Sequence, residues 1–238
     1  MSSPPHRRAL AVVATFAACS LMVGGLSGRD VAHAAKPRSL VTRLVGVHNA
    51  TQVISVISSG YGDTTATVRA FEKRDGKWYE VFGPWSAWVG YNGFAPLGAK
   101  REGDGRTPSG SYTFSFFFGV ARDPGVRYPW RHAARYDVWD DDSGSSRYNE
   151  WVDTRHHSAG ADPEQMHVLP SYLDGAAIAY NTTRVPGRGS AIFLHVTHHS
   201  ATNGCVSLPR PELIKLLRWL RPADHARIIM GTAATVTR

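Results

Sequence analysis

The sequence predicts a mostly β domain with one clear helix. Short apolar runs of about four to eight residues recur along the chain, the length expected of strands. Asp75 and Gly76 form a hairpin-turn dipeptide between two such runs. A single segment, starting at Pro209 or Pro211 and ending at Leu220, carries leucines at helical spacing.

Residues 35–39 read as a linker, and residues 40–47 as a first strand. Residues 51–58 are apolar on much of both faces, as in a strand covered on two sides. Residues 66–73 lead through Asp75 and Gly76 into 78–82, and 85–91 form a further strand. Residues 110–118 alternate and are rich in aromatic side chains. From 128 to 164 the periodicity dissolves into tryptophan, aspartate, serine and glycine, which predicts a long irregular loop. Asp140, Asp141 and Asp142 within it read as an acidic, solvated turn. Residues 176–180 and 191–196 are short apolar strands, and Ile228 and Ile229 lie in a last one. In the helix, Leu213, Leu216, Leu217 and Leu220 share one face, and proline in its first turn lacks only an unneeded donor.

The start of the chain bears on compartment. His6, Arg7 and Arg8 precede a mostly apolar run, 9–26, followed by the small residues Ala32 and Ala34. This is the pattern of a secretory signal spanning residues 1–34, with a membrane anchor as the alternative reading. Residues 35–50 then form linker and first strand, and 51–238 one domain. The whole chain carries net charge +8. Removing 1–34 takes away three basic residues and one acidic residue, so the remainder stays basic. No lysine-rich cluster or RNA-binding motif points to nucleic acid; an anionic cell wall is the natural counter-surface. Cleavage removes Cys19 and leaves Cys205 as a lone cysteine in an oxidising compartment, where unpaired thiols are unusual.

Cys205 follows the strand that ends near His195 and the loop 196–204, and precedes the helix. A nucleophilic cysteine needs a base, oxyanion donors and access. His195 is the candidate base. Gly204 permits close backbone approach, and the helix start offers a positive dipole end that favours thiolate. On this reading Cys205 reacts well below pH 8.5, the ordinary thiol value. His195, His198 and His199 also spell a possible zinc set, without the helical spacing such sites use; no metal or organic cofactor is expected.

Thr202-Asn203-Gly204-Cys205-Val206-Ser207 behind His195, and a second block, "KREGDGRTPSGSYTF" at 100–114, resemble the motifs of the L,D-transpeptidases of the YkuD type. The resemblance implies a β-sandwich, a Cys205 thioester on a peptidoglycan stem peptide, His195 as base, and 3→3 crosslinks. Asn203 stands where the family has histidine, and Ser207 where it usually has asparagine or arginine. Asn203, Gly204 and Tyr180 are candidates for supporting the oxyanion, with a core role open for Tyr180. Arg106, His167 and Ser207 are candidates for substrate binding; Arg106 equally fits a loop-pinning role. A carboxypeptidase using the same residues, and a wall-binding module with a decayed site, remain as rivals. Oligomeric state is not legible. N-terminal sequencing of the exported protein should begin close to Ala35; a membrane-bound chain that retains Met1 contradicts the signal reading.

Overall fold

The computed structural model describes residues 39–238, so the segment 1–34 read as a secretory signal, Cys19 and most of the expected linker lie outside the described residues. The strands are β1 (Gln52–Ser58), β2 (Thr65–Arg74), β3 (Lys77–Trp88), β4 (Phe94–Ala95), β5 (Thr107–Pro108), β6 (Gly110–Tyr112), β7 (Phe114–Gly119) and β8 (Trp130–His132). They continue with β9 (Asp137–Asp140), β10 (Glu150–Asp153), β11 (Glu164–Gln165), β12 (Gly175–Ile178), β13 (Phe193–Val196), β14 (Val206–Leu208) and β15 (Arg227–Thr232). The helices are α1 (Leu40–Arg43), α2 (Arg210–Trp219) and α3 (Ala233–Val236).

Ten strands make one sheet in the order β6-β15-β1-β2-β3-β14-β13-β12-β7-β8. The sheet is curled, because side chains from strands far apart in that order meet in one core. Met230 of β15, Ile54 of β1, Leu208 of β14 and Phe117 of β7 belong to the same buried cluster. Leu213, Leu216, Leu217 and Leu220 insert into that cluster from α2 and its end. The helix begins as its prolines dictate, with Pro209 as N-cap and Pro211 in the first turn. A second cluster lies on the opposite face of β7, β12 and β13 and includes Phe118, Phe193 and Cys205. A third lies under α1 and α3, against Val53, Phe71 and Ile229. β1 is therefore covered on both sides, as its two apolar faces predict. The β2–β3 hairpin turns at Asp75 (φ 49°) and Gly76 (φ 75°). Positive φ at both residues is the two-residue turn that matches strand twist.

Two expectations change. Residues 40–47 form no strand. Leu40–Arg43 makes one helical turn, because Val41 and Leu44 seat against Phe71 and Val236 and this packing overrides β-propensity. The segment 128–164 is also more ordered than its pattern suggests. It contributes β8 to the main sheet and, with β11, builds a separate sheet in the order β10-β9-β11. The mixture of tryptophan and acid has a pairing logic. Trp151 Nε1 donates to Asp137 Oδ1 at 3.1 Å, and Trp139 Nε1 to Asn149 Oδ1 at 3.0 Å. Asp140, fully buried, accepts from Ser145 Oγ at 2.6 Å and from the Gly160 amide at 3.0 Å. Asp140 and Asp142 are thus structural acceptors and not parts of a solvated turn, because the hydroxyl and amide donors around them need partners.

Leu216 is fully buried where α2 meets the curled sheet. Leu216→Ala should destabilise folding by about 2–5 kcal/mol, the usual cost of such a cavity. Urea unfolding measures it; a change below about 1 kcal/mol would mean that α2 contributes little to this core.

Candidate functional site

Strands β13 and β14 run parallel, with Leu194 opposite Val206, His195 opposite Ser207 and Val196 opposite Leu208. Alternation sends Leu194, Val196, Val206 and Leu208 into the curled core. His195, Ser207 and Cys205, one step before Val206, face the other way and line a cavity of ≈ 620 Å³. The strand register alone thus brings the candidate nucleophile and base to one floor.

The loop between the strands is fixed by hydroxyls. Thr202 Oγ1 donates to the Cys205 carbonyl at 2.7 Å, and Thr107 Oγ1 donates to the same carbonyl at 3.2 Å. The Gly204 amide donates to Thr202 Oγ1 at 3.1 Å, and the Gly90 amide to Thr107 Oγ1 at 2.9 Å. Gly204 has φ 150°, and a Cβ there would lie 3.0 Å from the Arg106 carbonyl. Glycine is required because the two motif blocks touch backbone to backbone at this point. The second block staples itself. Asp104 accepts from Lys100 Nζ at 2.6 Å and from the amides of Arg101 (2.7 Å) and Arg106 (2.9 Å).

His195 Nδ1 lies 2.8 Å from the Val196 carbonyl. A carbonyl only accepts, so Nδ1 carries the proton and Nε2 keeps its lone pair. Burial, aided by His198, lowers the His195 pKa to about 4, so the imidazole is neutral at neutral pH. Tyr172 meets the ring edge-on at 5.4 Å, and its hydroxyl donates to the Glu164 carboxyl. The Cys205 thiol donates to the Ala191 carbonyl at 3.2 Å, while the Phe193 amide donates to the sulfur at 3.3 Å. Burial and the charge of Glu164 push the thiol pKa up, against the Phe193 amide and Lys100. The resting pair is therefore thiol and imidazole, not thiolate and imidazolium. This reverses the expectation of a depressed thiol pKa, because desolvation by burial disfavours the thiolate. The arrangement can accept a thiol proton at Nε2 once the S–H leaves Ala191.

Of the other sequence candidates, Asn203, Gly204 and Ser207 line the cavity. Asn203 is exposed at its rim. The Gly204 amide is taken by Thr202, so this glycine serves clearance and loop geometry. Ser207 Oγ is buried without a partner. Tyr180, Arg106 and His167 do not line the cavity. Tyr180 donates to the Arg188 carbonyl at 2.5 Å and meets Tyr112 edge-on. Arg106 donates to the Phe94 carbonyl at 3.0 Å, the loop-pinning alternative. His167 Nδ1 donates to the Ala133 carbonyl at 2.9 Å. The three neighbouring histidines diverge: His198 pairs with Ser171 and His199 meets Trp88, while His195 is held by Val196. Sequence reasoning missed Thr107, Thr202, Tyr172 and Glu164. The threonines sit within the two motif blocks, which is the signal that could have found them.

With the thiol neutral at rest, alkylation of Cys205 by iodoacetamide should be slow at pH 7 and still rising above pH 8.5. A rate that plateaus below pH 8.5 would establish a resting thiolate instead.

A family model for the YkuD L,D-transpeptidase catalytic domain matches residues 62–233. Comparison with curated proteins gave no match. Among solved structures, the chain is similar to the crystal structure of the helical cell shape determining protein Pgp2 from Campylobacter jejuni, at 15% identity and TM-score 0.43. That similarity covers 82% of this chain and 52% of the other, so the chain spans about half the length of that protein. The family match takes in both motif blocks and every strand of the cavity floor, and this chain belongs to the YkuD L,D-transpeptidase catalytic domain family.

Proposed function

We propose that the chain is an exported L,D-transpeptidase that joins peptidoglycan stem peptides by 3→3 crosslinks through a Cys205 thioester. Membership of the family implies peptidoglycan as the substrate in general. The observation that carries the finer reading is the shared cavity floor of Cys205 and His195, with Nε2 of His195 holding its lone pair.

In this mechanism His195 Nε2 takes the Cys205 proton as sulfur attacks the carbonyl of the third stem residue. The C–N bond to the terminal D-alanine breaks, and the imidazolium returns its proton to that leaving amine. The thioester then meets the side-chain amine of a second stem: a C–N bond forms, the C–S bond breaks, and the thiol is restored. The Phe193 amide, already directed at the sulfur, stabilises it as charge develops there. Basic charge on the rest of the chain suits work at an anionic wall. Water in place of the amine gives a carboxypeptidase. The hydrogen bond of the thiol to Ala191, and not to His195, favours a second reading: a wall-binding module without turnover.

Disaccharide-tetrapeptide incubated with residues 35–238 should give a thioester adduct by intact mass, loss of D-alanine, and a 3→3 dimer. Cys205→Ala should abolish all three with an unchanged circular dichroism spectrum. His195→Ala should slow acylation by roughly 10²–10⁴-fold. Tripeptide alone identifies the carboxypeptidase; neither adduct nor product with any stem type identifies the binding module.

A further inference from the structure

One wall of the cavity is acidic although the chain is basic. Glu102, Asp141 and Glu164 all line it, together with Cys205. Among the described residues none of the three takes part in an ion pair, and the lysine on the cavity wall, Lys100, is bound to Asp104. Glu102 accepts the Tyr148 hydroxyl and, at 2.8 Å, that of Ser190; Glu164 accepts the Tyr172 hydroxyl. Among the described residues no side-chain donor reaches Asp141. Burial and the charges of the neighbouring carboxyls raise Asp141 to about 6 and Glu164 to about 7. Carboxylates crowded in this way are stabilised by a cation. A second feature of the same cavity also lacks a partner: the Ser207 hydroxyl, 1% exposed beside His195 on the floor, makes no hydrogen bond. The cavity is thus built for a polar ligand and lacks its positive charge.

We propose that Glu102, Asp141 and Glu164 form the subsite for the acceptor ammonium, the primary amine of the second stem that attacks the Cys205 thioester. This rests on the transpeptidase reading above. Glu164 and Cys205 line the same cavity, and the charge of Glu164 reaches the sulfur, so the wall borders the place of attack. An ammonium on the donor side chain sits several bonds from its own scissile carbonyl and has no need of that place. A metal ion fits less well, because among the described residues no three carboxyl, imidazole or thiol groups converge as ligands.

The protons balance. The bound ammonium gives one proton to a wall carboxylate, which releases it to solvent. The neutral amine forms the C–N bond, the C–S bond breaks, and the second nitrogen proton passes through His195 to the departing sulfur. The wall therefore selects an amine over water and supplies the acceptor for its first proton.

The test follows the fate of the thioester in residues 35–238, with disaccharide-tetrapeptide as donor and a diamino-acid tripeptide as acceptor. The acylation burst is the internal reference, and the dimer-to-tripeptide ratio is the readout. Asp141→Asn and Glu102→Gln should each lower that ratio about tenfold, the worth of one charged hydrogen bond. The loss should appear as a higher acceptor KM, with rescue by Asp141→Glu. Nε-acetylated acceptor should yield no dimer with any form. A ratio unchanged in both variants, with acylation intact, overturns the acceptor subsite alone. Acylation falling as much as aminolysis overturns it too, since the wall then serves the donor or the fold. A wild-type chain that forms no thioester overturns both proposals together.

Discussion

The parallel pairing of β13 with β14 is the constraint on which the site depends. Strand alternation sorts its side chains into two sets: Leu194, Val196, Val206 and Leu208 to the curled core, and His195, Cys205 and Ser207 to the cavity. A slip of one residue in either strand would exchange the sets and bury the candidate site residues in the curled core beside the leucines of α2. The register is enforced from both sides, because the inner set is fully or almost fully buried. β14 is also the seam of the main sheet. It meets β3 through Ser207 and Trp88 and thereby joins the β6–β3 half to the β13–β8 half. Cys205 thus sits next to the strand at which the two halves of the sheet are joined.

A parallel pair needs a crossover connection, and here the connection is a short loop with no helix of its own. Its geometry depends on small side chains and hydroxyls. Gly204 admits the Arg106 carbonyl, while Thr202 and Thr107 converge on the carbonyl of Cys205. The two sequence blocks are therefore one structural unit. The "RTP" segment supports the Cys205 peptide from behind, which explains why a stretch some hundred residues away in sequence accompanies the cysteine motif.

Much of this was legible in local pattern. β1 announced itself by apolar faces on both sides, the β2–β3 turn by Asp75 and Gly76, and α2 by its leucines and prolines. These signals are short-range, and each matches the structure within a few residues. The illegible parts depend on partners distant in sequence. Trp139, Trp151 and the aspartates of 137–142 show no period because their order comes from indole and amide donors meeting carboxylate or amide acceptors. Tyr180, Arg106 and His167 looked available for substrate because a sequence lists polar groups without the carbonyls that occupy them. The direction of the Cys205 pKa was misjudged for the same reason. A helix dipole can be read from a pattern; burial beside Glu164 cannot.

The electrostatics of the resting site follow from its depth. Cys205 and His195 are both almost fully buried, and burial disfavours the charged form of each. The ion pair that would make the thiol reactive is therefore suppressed until a ligand enters. A thiol held neutral is chemically protected, because the thiolate, not the thiol, is the species that oxidises or exchanges with disulfides. Placing carboxyls near the sulfur reinforces the effect, since a negative neighbour raises a thiol pKa further. On the acceptor-subsite proposal, the same carboxyls become favourable when the acceptor ammonium arrives among them. On that proposal one wall of carboxyls keeps the thiol neutral without substrate and then receives the acceptor, so protection and acceptor choice draw on a single set of charges.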